Sequence, residues 1–126
     1  MIQAYSNNIT VEQNQAVPFN NTQTIKGCTV AHNSPASFEL NKSGVYLCEF
    51  NASAAAAASV QLYVDGVAQA AAQGTGTSIA FSHTITVKED NCRCNPCTSP
   101  VVVQAVNVGT AAETFTVANM VITKII

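Results

Sequence analysis

The chain has 126 residues, a length typical of one domain, and we expect a single domain over residues 1–126. Only 10% of its residues are charged and its net charge is −2, so it lacks the basic surface that nucleic-acid binding requires. We also find neither a secretory signal nor the run of roughly twenty apolar residues that a transmembrane helix needs, which predicts synthesis in a cytosol and no membrane partner.

Short strands separated by turns are predicted from the N-terminus onwards. Residues 2–5 and 9–11 are expected to form an edge hairpin around Asn7-Asn8. The segment Val17-Pro-Phe19 is expected to be extended, because a proline confines a strand to an edge or a bulge. These features favour an all-β chain.

The segment that follows Gly44 alternates in the manner of a strand. Tyr46, Cys48 and Phe50 share one face, since strand side chains point to opposite sides with period two. We therefore expect all three in the core. The alanine-rich run of residues 53–59 has high helix propensity. It is short for a helix, however, and continues into an alternating Val60–Val64, so it is also predicted to be a strand.

A hairpin is predicted at Asp65-Gly66, a turn pair typical of the I′ type, and a break is predicted at Gly74-Thr75-Gly76. The strand after it places His83 in its apolar phase. The ordinary interpretation of His83 is a hydrogen-bonded core or interface residue. The alternative is that three copies meet on a threefold axis and form a metal site, an anion site or a pH-sensitive contact.

The residues from 88 to 100 are predicted to form a cysteine-rich loop, with Cys92, Cys94 and Cys97 close together in the sequence. They are candidate metal ligands, although a closed zinc site needs a fourth ligand such as Cys28 or His32. The same three residues and Cys28 are also disulfide candidates. Free thiols are the third alternative, and five cysteines leave at least one unpaired within a subunit. His32 itself is expected in a surface turn.

The last two strands, residues 101–108 and 115–126, are apolar on both faces. An antiparallel sheet normally has one wet face, so another subunit is expected to cover the second. The low charge agrees, because homo-oligomer interfaces are depleted in charged residues. The candidate interface residues are His83, Val101, Val103, Val121 and Ile122.

Several segments together resemble a known family. Phe38-x-Leu, the Gly44-x-Tyr-x-x-x-Phe50 pattern, Leu62-x-Val-Asp-Gly66 and the closing Val121-Ile-Thr-Lys-Ile125 are similar to the jelly rolls of tumour necrosis factor and of complement globular heads. The resemblance implies an all-β, antiparallel β-sandwich of the jelly-roll type that assembles as a homotrimer. The chain also resembles the trimeric tips of spore-surface collagen-like glycoproteins and small virion proteins of phages.

The chain has no collagen-like Gly-x-y stalk, which favours direct docking on a particle. The resemblance thus implies a structural protein on the virion surface of a phage, a capsid decoration or head-fibre protein. Its partners would be the major capsid protein or another virion protein, and host surface glycans. The alternative is a trimeric bacterial or spore-surface adhesin tip. A cupin-type enzyme needs more histidines than His32 and His83, so we expect no catalytic residue and no cofactor.

Overall fold

The computed structural model describes residues 1–27, 29–88 and 100–126. None of these residues is helical, so none of them forms a helix that could span a membrane. The chain there forms eight strands: β1 (Ile2–Val11), β2 (Asn21–Ile25), β3 (Val30–Ser34), β4 (Ser37–Leu40), β5 (Gly44–Val64), β6 (Val67–Val87), β7 (Val101–Asn107) and β8 (Glu113–Lys124).

One long strand, β5, organises the whole sheet. Its first part, residues 46–54, pairs with β8, and its last part, residues 60–64, pairs with β7. The antiparallel order is β2-β1-β8-β5-β7-β4-β3, and β6 pairs along the other side of β5. The sheet therefore curls into two halves, which we call the β8 half and the β7 half.

The two halves enclose one hydrophobic core. Phe19 joins them, because its ring lies 5.4 Å from that of Phe38 on β4 and 6.3 Å from that of Phe50 on β5. Phe50 also stacks on Phe81 of β6 at 5.1 Å. Edge-to-face and offset contacts at these distances are favourable beyond the area they bury. Tyr46, Cys48 and Phe50 are all buried, which confirms the predicted register.

Two further predictions about elements are confirmed. Asp65 and Gly66 both have positive φ, 50° and 78°, as a type I′ hairpin turn requires, and they join β5 to β6. Residues 53–59 belong to β5 and are strand, not helix. The alanines at 54–57 lie where the β5–β6 register shifts, and Ala55–Ala57 are exposed.

Two sequence expectations were wrong. Residues 2–11 form one strand that pairs with β8 on both sides of Asn8, so no hairpin forms at Asn7-Asn8. Asn8 itself adopts a φ of 52° within the strand. β6 also passes through Gly74-Thr75-Gly76 without a break, because these residues pair with residues 58–60 of β5. Pairing along a 21-residue neighbour outweighs the weak strand propensity of glycine.

Candidate functional site

Three of the predicted interface residues belong to the core of a single chain. Val103 and Ile122 are completely buried and Val101 is 5% exposed. Their side chains point between the two halves of the sheet, so they have no surface to offer another subunit. The assignment of these three residues to the subunit interface is therefore corrected. The error arises because strands with two apolar faces do not reveal which face is the inner one.

The second apolar face of β7 is covered in part by the same chain. Val106 faces outward, yet only 7% of it is exposed, and it lies outside the main core cluster. Ala16 pairs with it as an isolated bridge, and the Asn14 N–H donates to the Asn107 carbonyl at 2.8 Å. A neighbouring segment thus supplies the cover that was expected from another subunit.

Val121 and His83 differ from the other three candidates, because both are half-buried at the surface of one chain. His83 of β6 lies opposite Cys48 of β5. Among the described strands, β5 is the only one that pairs with β6. Val121 points outward from β8 between Gln3 of β1 and Glu49 of β5. Their place in a subunit contact stays a prediction.

Val121 lies within a broad, weakly charged surface on the β8 half. Two adjacent rows of outward side chains cross β1, β8, β5 and β6, and among these described residues only Glu49 is charged. We call them the outer patch: Gln3, Val121, Glu49, Ser82, Tyr5, Asn119, Asn51 and Ala80. Such a composition fits a protein contact better than it fits a site for a charged ligand.

His32 is placed in a hydrogen-bonded niche, not in the exposed turn expected from the sequence. Its Nε2 lies 2.7 Å from the Phe19 carbonyl oxygen and its Nδ1 lies 3.0 Å from that of Ser37. The ring also stacks on Phe38 with centroids 4.3 Å apart. Because both nitrogens face carbonyl oxygens, neither is directed at a site where a metal could bind.

Cys48 is a structural thiol. It is 1% exposed, and burial raises its pKa to about 12. The metal and disulfide candidates Cys28, Cys92, Cys94 and Cys97 lie outside the described residues. Within residues 1–27, 29–88 and 100–126, no group of three or more His, Cys, Asp or Glu is placed to hold a metal ion.

Asn107 is a buried polar hub that sequence reasoning missed. Its amide nitrogen donates to the carbonyl oxygens of Val11 at 3.0 Å and Ala111 at 3.1 Å, and its amide oxygen accepts from the Gly109 N–H at 3.0 Å. It is completely buried. A polar residue near the end of an apolar strand is the only signal in the sequence, and that signal is equally typical of an exposed strand end.

An uncharged groove of about 610 Å³ lies on the outer surface of the β7 half. Gln104 of β7 and Tyr63 of β5 are cross-strand neighbours on one side of it, and the segment around Gln15 closes the other side. We call it the amide groove. Its lining residues are Asn14, Gln15, Ala16, Ala36, Tyr63, Gly66, Gln104 and Val106.

Comparison with known proteins identifies the fold. No protein-family model and no curated protein sequence matches the chain. The globular domain of zebrafish complement 1qA protein is similar over 95% of this chain and 94% of its own, with a TM-score of 0.68 and 14% identity. Rabbit GITRL is similar over 100% of this chain and 95% of its own, with a TM-score of 0.55 and 11% identity. At these identities the likeness concerns the fold alone, and the chain has the jelly-roll fold of the C1q globular domain and the TNF-family ligands.

Proposed function

We propose that this chain is a non-enzymatic structural protein of a phage virion, a decoration or head-fibre protein that assembles as a homotrimer. Its role is mechanical and adhesive: the trimer docks on the major capsid protein or another virion protein and exposes the rest of its surface. The fold, shared over almost the full length with a complement globular domain, provides the frame for this proposal.

The outer patch is the observation that carries the proposed assembly. Its eight side chains include one charge, which is in line with the 10% of charged residues in the whole chain and below the roughly 25% of an average protein. Val121 and Tyr5 are half-buried there and supply apolar area on this face of the sheet. Subunits that bury this patch remove apolar surface from water without stranding many charges, which is the energetically cheap way to associate.

Trimer assembly through the β8 half leaves the opposite side of each subunit free. The amide groove lies on the outer surface of the β7 half, across the core from the outer patch. A trimer built on the outer patch would therefore keep three grooves accessible. Multivalent display of this kind strengthens weak contacts to a host surface through avidity.

Location on purified particles tests the proposed function. Antibodies raised against the recombinant chain should label the capsid surface of virions purified from the source culture, and mass spectrometry should find the chain in stoichiometric ratio to the capsid protein. Labelling of cell or spore surfaces, with virions that lack the chain, would overturn the virion role.

A trimeric bacterial or spore-surface adhesin tip is the second candidate. The amide groove favours it, because a recognition site for an external ligand is expected in an adhesin and is not needed for capsid stiffening. The same labelling experiment separates the two candidates, since an adhesin tip would be found on the cell or spore and a virion protein on the particle.

A further inference from the structure

The amide groove is a formed site with a supported backbone. The Asn107 N–H donates to the Gln15 carbonyl at 3.0 Å, and the Val17 N–H donates to the Ala105 carbonyl at 2.7 Å, so the wall formed by residues 14–17 is bonded to β7. At the other end, Asp65 exchanges two 2.8 Å hydrogen bonds with the backbone of Val102 and holds the turn that contains Gly66. A groove with such walls needs little reorganisation to bind a ligand.

The polar side chains in this groove have no hydrogen-bond partner among the residues that the structure describes. Among the hydrogen bonds between described residues, none uses the side-chain amides of Asn14, Gln15 and Gln104 or the hydroxyl of Tyr63. Each amide offers a carbonyl acceptor and two N–H donors, and the phenol both donates and accepts. The groove therefore presents several free donors and acceptors side by side.

The floor and one wall of the groove are apolar. Val106 is buried at the base beside Ala16, and the aromatic ring of Tyr63 is half-buried at the side. A ligand that fits must pair its polar atoms with neutral amides and pack an apolar surface against Val106 and Tyr63. The volume of the groove, about 610 Å³, falls within the range of roughly 300–1,000 Å³ typical of ligand sites.

The uncharged polar lining of the groove disfavours both anionic and purely apolar ligands. The lining residues include no acid or base, so a phosphate or carboxylate would lose its hydration without gaining a counter-charge. Nucleic acid in particular needs Lys or Arg at its phosphates. A purely apolar ligand would leave three amides desolvated and unpaired, which is costly as well. The matching chemistry is a neutral molecule with many hydroxyls and a hydrocarbon face.

We propose that the amide groove binds neutral oligosaccharides, with the C–H face of a pyranose ring packed on Tyr63 and the ring hydroxyls bonded to Gln104, Gln15 and Asn14. This proposal adds a ligand class to the proposed surface role. It rests on that role for the place where the protein encounters the glycan. The groove and the outer patch lie on different halves of the sheet, so binding and assembly are separable by substitution.

The test is a titration of the purified full chain with oligosaccharides, in which NMR amide chemical shifts report binding. The probes are neutral gluco-, galacto- and N-acetylglucosamine oligomers, with sialylated and polygalacturonate oligomers as anionic probes. We expect a neutral oligomer to shift the resonances of Tyr63, Gln104 and residues 14–16 at millimolar concentration. Binding of an anionic probe alone, or no shift in the groove with any neutral oligomer, would overturn the proposal.

Three variants locate the binding. Gln104→Ala and Tyr63→Ala should each weaken binding about tenfold, the effect of losing roughly 1.4 kcal/mol. Tyr63→Phe keeps the ring and should lose less, which preserves the test if Tyr63→Ala fails to fold. Gln23→Ala, an exposed amide on β2, is the matched control and should bind as the parent does. Equal affinity of all four variants would contradict the groove as the site, whereas a glycan-binding chain absent from virions would refute only the virion role.

Discussion

At the residue scale, the chain uses a few hydrogen-bonded polar side chains, one buried and one half-buried, to join segments that are distant in sequence. Asn107 bonds the end of β1 to the loop that precedes β8. His32 bonds the segment around Phe19 to the β3–β4 turn. Buried polar groups of this kind are costly when one partner is removed, because the remaining donors and acceptors lose both water and protein partners.

Replacing Asn107 by Asp should strongly destabilise the fold. The new carboxylate would face the carbonyl oxygens of Val11 and Ala111 with no donor to give, and we expect a loss of about 3 kcal/mol or more at neutral pH. Burial raises the pKa of such a carboxyl above its unfolded value of about 4, so the loss should grow as pH rises above that value.

Urea unfolding of Asn107→Asp at neutral and mildly acidic pH measures this effect. Asn20→Asp, the same substitution at an exposed position, is the control and should change the free energy of unfolding by about 0.5 kcal/mol or less. An Asn107→Asp variant as stable as the parent at neutral pH would contradict the role assigned to this side chain.

Cys48 should be unreactive in the native protein. Only the thiolate attacks alkylating reagents, and burial raises the pKa of this thiol from its ordinary 9.0 to about 12. We expect alkylation by iodoacetamide near pH 8, measured by peptide mass mapping, to be roughly a thousandfold slower than in urea. Equal rates in the two conditions would show that Cys48 is accessible.

The same pKa shift has a consequence for stability. The folded thiol keeps its proton up to about pH 12, whereas the unfolded thiol loses its proton near 9. The native state therefore binds more protons in this range, and the contribution of Cys48 to the free energy of unfolding decreases as pH rises through it.

The inward residues of β5 could be predicted from the sequence, but the role of Asn107 could not. Tyr46, Cys48 and Phe50 are large or apolar side chains at period two, and that period is itself the physical signature of a buried strand face. Val103 and Ile122 belong to strands with apolar residues on both faces, so their phase carried no such signal. The partners of Asn107 come from two separate segments, and only the tertiary fold brings them together.

At the element scale, β5 gives the molecule its two halves by pairing with β8 and then with β7, and it forms a long hairpin with β6. The turn of this hairpin was evident in the sequence because Asp-Gly suits the positive φ angles of a I′ turn. The continuity of β1 and β6 was not evident, since Asn7-Asn8 and Gly74-Thr75-Gly76 are typical turn residues. Pairing with β8 and β5 outweighs those local preferences.

The side chain of Asp65 should contribute to the stability of this hairpin. Its Oδ1 accepts the Val102 N–H at 2.8 Å, which ties the turn to β7. Asp65→Asn keeps an acceptor and tolerates the φ of 50°, so it should be nearly neutral. Asp65→Ala loses the bond and tolerates that φ less well, and should cost about 1–2 kcal/mol. Thermal unfolding of both variants measures the difference, and equal stability of the Ala and Asn variants would exclude this role.

At the scale of the whole molecule, the jelly-roll fold could be predicted because a few aromatic and turn positions resemble those of the tumour necrosis factor and complement jelly rolls. The surfaces could not be predicted in this way. The outer patch requires β1, β8, β5 and β6 to lie side by side, and the amide groove requires the segment at residues 14–16 to lie against β7. Both depend on contacts between residues about a hundred positions apart, for which a single sequence offers no local signal.

Native mass spectrometry of the full chain tests whether it associates as a homotrimer through the outer patch. We expect three subunits for the parent chain and for Val67→Asp, an exposed control position. Val121→Asp should give monomers that retain the fold, because the new charge lies beside Glu49 and would be desolvated in the contact. A monomeric parent at micromolar concentration, or a trimer unaffected by Val121→Asp, would rule out assembly through the outer patch.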